Sequence, residues 1–175
     1  MNILLEATRF LVSISIAFMV LLFLSCLTFG CEKDDICNQG TPGTPNVVIR
    51  FFDKNSPEER KAAENISIKE INQEQIYRIL NSDSVAIPMD LSKNFTRYAF
   101  ILPSSTASLT IADTLQFNHT NRGDIYSRRA CGFISEYLLD TPAITTIGSI
   151  TWYAYSVIQL DTIRNEEQAH LFIYH

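Results

Sequence analysis

Histidine, glycine and basic runs are scarce in this chain, and each scarcity argues against a class of function. Only three histidines occur among 175 residues: His119, His170 and His175. His170 and His175 are five positions apart, so on one strand they point to opposite faces, which spoils a two-histidine metal site. The expectation is that all three are solvated. The six glycines form no phosphate-binding loop, and no Gly-x-Ser-x-Gly elbow is present. Asp53, Asn55, Glu58 and Glu59 open like a calcium loop, but its glycine is missing and Pro57 stands at a ligand position. Fourteen Lys and Arg against nineteen Asp and Glu give a net charge of −5 with no basic run. That balance argues against nucleic acid as a partner and against a polybasic patch for lipid. No catalytic residue, metal ligand or cofactor contact is assigned.

Charge is also missing from Phe10 to Gly30, where Leu, Ile, Val, Phe and Met dominate. Such a run is the core of an export signal or a membrane span. Arg9 is the only positive charge before it, and Glu6 offsets that charge. The run ends in Thr28-Phe29-Gly30-Cys31, which resembles the lipobox of bacterial lipoproteins, a small residue followed by cysteine. The resemblance implies cleavage before Cys31 and acylation of its sulfur and new amino terminus; Cys26, after Ser25, is the alternative site. Each buried methylene of such a chain contributes about 0.8 kcal/mol, so two or more chains hold stably where one holds marginally. Lys33-Asp34-Asp35 resembles the short tag of Bacteroidota lipoproteins sent to the outer face of the outer membrane. It implies a cell-surface address, with the periplasmic face as the alternative; the plainer reading is a solvated linker.

Four cysteines occur. If Cys26 leaves with the signal and Cys31 is acylated, Cys37 and Cys131 remain, 94 positions apart. In an oxidising compartment they are expected to pair; two free thiols are the alternative. A loop that long stabilises by on the order of 4–5 kcal/mol in the chain-entropy model. The bond also shortens the tether. Residues 32–45 alone would reach about 45 Å, whereas the steps from Cys31 to Cys37 reach roughly 20 Å.

The rest of the chain alternates as strands do. Val47–Phe52, Asn65–Ile71, Val85–Met89, Arg97–Leu102, Ser108–Ile111, Thr114–His119, Ile125–Ala130, Phe133–Leu139, Ile150–Leu160 and Ala169–Tyr174 read as extended, with Gly132 permitting a bulge or bend at Cys131-Gly132. Gln73–Asn81 reads as a strand, with a short helical face of Ile76, Ile79 and Leu80 as the alternative. Ser56-Pro57-Glu58-Glu59 reads as one helical turn, Asn121–Asp124 as a turn, and Asp140–Gly148 as a loop. The expected fold class is all-β, an antiparallel two-sheet sandwich, immunoglobulin-like, preceded by a signal helix. The expected division is a signal peptide over 1–30, a tether over 31–45 and a sandwich over 46–175.

Five short stretches occur in order: Cys31-Glu-Lys-Asp-Asp-Ile-Cys37, Ile49-Arg-Phe-Phe-Asp53, Ala86-Ile-Pro-Met-Asp90, Asp113-Thr-Leu115 and Ala130-Cys-Gly132. Together they resemble a family of short Bacteroidota lipoproteins of unknown function. That resemblance supports the lipid anchor and the Cys37–Cys131 pair, and implies no activity, substrate or catalytic residue.

Two surfaces remain as candidates. Tyr153 and Tyr155 share a face of one predicted strand and are the candidate ligand contacts, although core packing is the commoner fate of aromatics. Asp90, Asp113 and Asp124 are the carboxylates from which an enzyme site would be built. The leading expectation is a non-enzymatic, lipid-anchored outer-membrane module. Its partners are membrane lipid through acylated Cys31 and another envelope protein or glycan. The alternatives are a small carboxylate enzyme and an exported domain held by an uncleaved single-pass helix.

Overall fold

The computed structural model describes residues 2–27, 36–37, 40–79, 81–102, 111–149 and 152–175. The chain divides into two compact units, residues 1–39 with 128–131 and residues 40–127 with 132–175. The first unit holds one helix, α1 (Asn2–Leu27). Every side chain from Val12 to Ser25 is exposed, although all but Ser13, Ser15 and Ser25 are apolar. A helix apolar on all sides needs an apolar surrounding, and the described residues supply none. The described side chains cover only Arg9 and that stretch, and among the described residues no helix is long and apolar enough to cross a membrane.

The second unit is built of strands: β1 (Val47–Phe52), β2 (Ile66–Glu70), β3 (Ile76–Ile79), β4 (Ser84–Ile87), β5 (Phe95–Leu102), β6 (Ile111–Arg128), β7 (Gly132–Ile147), β8 (Tyr155–Ile158), β9 (Thr162–Ile163) and β10 (Leu171–Tyr174). The last residue of β6, Arg128, belongs to the first unit. They form two sheets, ordered β4-β1-β10-β8 and β3-β2-β5-β6-β7-β9. β1 runs parallel to β10, with Ile49 opposite Leu171 and Phe52 opposite Tyr174. β2 is antiparallel to β3 and β5, β5 to β6, and β7 to β9. The chain is mostly β, in two mainly antiparallel sheets.

Period-two alternation decides which side chains meet between the sheets. Val47, Ile49 and Phe51 of β1 and Leu171 and Ile173 of β10 are fully buried. They join Ile66, Ile68, Tyr98, Phe100, Leu115, Phe117 and Tyr137 of the larger sheet in one apolar cluster. Trp152 bridges the layers, 5.6 Å from the Phe51 ring and 5.5 Å from the Phe100 ring. The two fully buried tyrosines keep their hydroxyls paired, as burial demands. Tyr137 donates to Pro45 O at 2.7 Å and Tyr98 donates to Pro88 O. Burial pushes both phenols well above their ordinary range.

Several boundaries differ from the sequence expectation. Asn121–Asp124 does not turn; β6 runs through it, with Gly123 at φ +141° and its N–H taken by Asn121 Oδ1 at 2.9 Å. The ladder of the β6–β7 hairpin overrides the local turn preference. Asp140–Gly148 is not a loop, because β7 extends to Ile147. Ala143 and Ile144 are buried there, and Asn118 Nδ2 donates across to Pro142 O and Thr145 Oγ1. The long strand expected over 150–160 shrinks to β8, since Trp152 and Tyr153 are drawn out of the sheet by Asp113. Ser56–Glu59 makes a single turn, Glu59 N–H donating to Ser56 O at 2.8 Å, without a helix. Of the strand expected over Ser108–Ile111, only Ile111 lies within the described residues.

Candidate functional site

The disulfide is formed. Cys37 Sγ bonds Cys131 Sγ at 2.05 Å, with the Cα atoms 5.0 Å apart. Cys131 lies in the turn that joins β6 to β7. Cys31, Lys33, Asp34 and Asp35 lie outside the described residues. Leading to that turn, every residue from Thr120 to Tyr126 is exposed, so neither face of this half of β6 is covered. A bare two-stranded ribbon is marginal in water, and a covalent clasp at its turn offsets that weakness. The Tyr126 and Phe133 rings meet edge to face at 5.6 Å, and both remain exposed.

The tyrosine pair predicted to share a strand face is separated. Tyr153 precedes β8, packs partly buried against the core, and donates its hydroxyl to Ser156 Oγ at 3.1 Å. Tyr155 is 40% exposed and stacks on Tyr174, with centroids at 4.3 Å and planes at 11°. Tyr155 is instead the end of a row that sequence reasoning missed. On the outer face of the smaller sheet, Phe172 meets Phe52 at 4.7 Å, and Phe52 meets Tyr174 at 5.5 Å. The signal was legible: β1 and β10 carry apolar residues at adjacent positions, Phe51-Phe52 and Leu171-Phe172-Ile173-Tyr174. Apolar residues at adjacent positions of a strand put apolar side chains on both of its faces.

Beside that row lies a groove of about 260 Å³, lined by Arg50, Gln159, Glu167, Gln168 and Phe172 among others. Arg50 Nε is buried there without a hydrogen-bond partner among the described residues. A buried donor left unmatched is costly, so an incoming acceptor is favoured at this atom.

The three carboxylates do not converge. Asp90 lines a pocket of about 150 Å³ with Glu70, Lys93 and Thr96. Lys93 at 2.7 Å, and then Ser92, hold the Asp90 carboxyl down to about 2. Burial, and then the Asp90 charge, push Glu70 up. Asp113 is 1% exposed, and its Oδ2 accepts the N–H groups of Trp152 at 2.6 Å and Tyr153 at 3.2 Å. Asp124 accepts from the Ser135 hydroxyl at 2.6 Å. Asp113 and Asp124 stand eleven residues apart on one strand, about 36 Å at ~3.3 Å per residue. Asp113 thus acts as a clamp on the Trp152 loop. Asp113→Ala should lower unfolding stability by about 3 kcal/mol, since two backbone donors lose a buried acceptor. The midpoint of urea denaturation measures it.

The histidines are buried, which corrects the expectation of solvated rings. His119 is 0% exposed, His170 1% and His175 7%. His119 continues the core face of Leu115 and Phe117, and its Nε2 meets Thr96 Oγ1 at 2.8 Å. His170 Nδ1 accepts the Val48 N–H at 3.0 Å. His175 stacks on Trp152 at 4.4 Å. Burial pushes all three below the ordinary histidine range. Among the described residues no group of three or more His, Cys, Asp or Glu is placed to hold a metal ion.

Residues 65–175 match a family model described as a family of unknown function. No curated protein and no solved structure matches the chain.

Proposed function

The chain belongs to the family of unknown function DUF6452, and from that premise we propose a lipid-anchored, non-enzymatic binding module of the outer membrane, facing the cell surface. Cys31 carries the acyl chains, Lys33, Asp34 and Asp35 supply the address, and the β domain carries the binding surface. The observation that carries this reading is the Cys37–Cys131 bond. It ties the hairpin turn to a residue six positions after Cys31, so the reach of the tether falls to roughly 20 Å. An exported, oxidised chain is also what the apolar, uncovered α1 suits, as a signal that is removed.

The binding surface in this reading is the outer face of the smaller sheet. An exposed Tyr155 ring backed by Tyr174, next to the unmatched Arg50 Nε, suits a glycan or a polar peptide of another envelope component. A carboxylate enzyme loses its support, because Asp90, Asp113 and Asp124 have separate neighbours and Asp113 is already engaged. The immunoglobulin-like version of the sandwich keeps one support, the parallel β1–β10 pair. The consecutive order β5-β6-β7 in the larger sheet speaks against it.

Cys31→Ala with membrane fractionation tests the anchor. The proposal expects release from the membrane or missorting; unchanged retention would favour the uncleaved single-pass helix. Proximity labelling from the anchored protein should recover an envelope partner that Tyr155→Ala loses. Recovery of none would remove the binding role.

A further inference from the structure

We infer that the β6–β7 hairpin end is itself a lipid contact, with Ile125, Tyr126 and Phe133 resting in the interfacial layer of the membrane that holds Cys31. The inference rests on the Cys31 anchor proposed above and adds a second point of attachment, made by the folded domain.

Three observations support it. First, these side chains are 51%, 60% and 65% exposed, although large apolar groups gain by leaving water. The Tyr126 and Phe133 rings already meet, so they form one patch. Second, covalent geometry says what can cover that patch. Phe133 is two residues from Cys131, which is bonded to Cys37, which is six residues from Cys31. With ~3.4 Å per residue, the Phe133 Cα lies at most about 32 Å from that of Cys31. Val47, where the first strand begins, is ten residues beyond Cys37 and has a far longer leash. The part of the domain held nearest the lipid is thus the part with bare aromatics. Third, the local charge is opposite to that of the chain. Residues 121–133 contain Arg122, Arg128 and Arg129 against Asp124, a net +2, in a protein of net −5. Aromatic rings with flanking arginines suit the level of anionic headgroups, and each basic residue there contributes about 1 kcal/mol.

The occupant is therefore a lipid surface and not a protein. Tyrosine sits at such a boundary with its ring in the apolar layer and its hydroxyl in water. The interfacial contact is weak by itself. It acts on a domain already held within a few tens of ångströms, where effective concentration converts weak contact into steady orientation.

The experiment uses the mature chain from residue 31 on vesicles of phosphatidylethanolamine and phosphatidylglycerol at 3:1. The protein is held by its own acyl chains where intact mass shows them. Otherwise it is coupled to a maleimide lipid through Cys31, the one thiol left outside the disulfide. Phe133→Trp reports on the hairpin end by its difference spectrum against the unsubstituted chain, and Tyr126→Trp replaces it should that variant not fold. Glu58→Trp, in an exposed loop, is the control. The expected result is a blue shift at residue 133, quenching by brominated acyl chains and protection from acrylamide, with no change at residue 58. An unshifted, acrylamide-quenched indole at position 133 on attached protein overturns the inference and leaves the anchor standing. An equal shift at residue 58 overturns it as general adsorption. A shift that requires added outer-membrane proteins overturns it in favour of a protein contact. Absence of acyl mass on Cys31 overturns the anchor alone, because the maleimide-coupled arm still decides the hairpin.

Discussion

Cys131→Ser should lower the unfolding stability of the domain by on the order of 4–5 kcal/mol. The bond closes a loop with a sequence separation of 94, and most of its effect comes from restricting the unfolded chain. Domains of this size are stable by about 5–15 kcal/mol, so the loss is roughly a quarter of the total or more. Cys37→Ser should cost the same, and the double variant no more, because each removes the same link. The loss should also be visible locally. The exposed ribbon of residues 120–126 has no covered face, so its amides should exchange faster once the clasp is gone. Urea unfolding without reductant measures the first effect, and amide exchange the second. A change below about 1 kcal/mol would mean that the oxidised link contributes little to folding.

Acid should be the other large perturbation, acting through the histidines. Each is buried and has its proton affinity lowered by burial first. Opposing influences come second: Asp140 and Asp90 raise His119, the Asn165 backbone and Glu166 raise His170, and the Lys61 backbone and Asp53 raise His175. A folded affinity below the unfolded value means that the unfolded chain takes protons first. Stability is therefore complete above about pH 6.5 and falls as pH drops below it. If the folded rings stay neutral, each contributes about 1.4 kcal/mol of loss between pH 7.5 and 5.5, about 4 kcal/mol for the three. His170 has the plainest reason to resist protonation, because its Nδ1 is occupied as the acceptor for Val48 N–H. His170→Gln should start less stable and show a shallower decline. Asp90, held down to about 2, loses its charge far below the window from 7.5 to 5.5, and Glu70, which burial pushes up, acts in the opposite sense to the histidines as pH falls. A stability flat across that window would contradict the burial of these rings.

What could be read from the residues alone divides by physical cause. β1 was legible to the residue, because Val47–Phe52 is a compact β-branched and aromatic run between turn-formers. The disulfide was legible from cysteine number and the expected oxidising compartment. Long-range pairing was not. Nothing local says that β6 continues through Asn121-Arg-Gly-Asp124, since the turn preference of those residues is overruled by their partners on β7. Nothing local says that Asp113 reaches Trp152 and Tyr153 and so keeps them out of β8. The histidines were misjudged for a related reason. Their scarcity spoke against a metal site, but only the core-face parity of His119 with Leu115 and Phe117 hinted at burial. The outer aromatic row was visible in the adjacent apolar residues of β1 and β10, and needed a two-sided reading of each strand. The family match begins at residue 65, so it includes Cys131 and leaves out Cys37 and the segment in which the anchor is proposed.

The central claim is that residue 31 is the mature, lipid-bearing first residue of a chain clasped six positions later. Mass spectrometry of the amino-terminal peptide from membrane-purified protein, without reduction, addresses it most directly. The account predicts a chain that begins at Cys31 with added acyl mass, and a Cys37 peptide recovered joined to the Cys131 peptide. A chain that begins at Met1, or an unmodified thiol at Cys31, would contradict it.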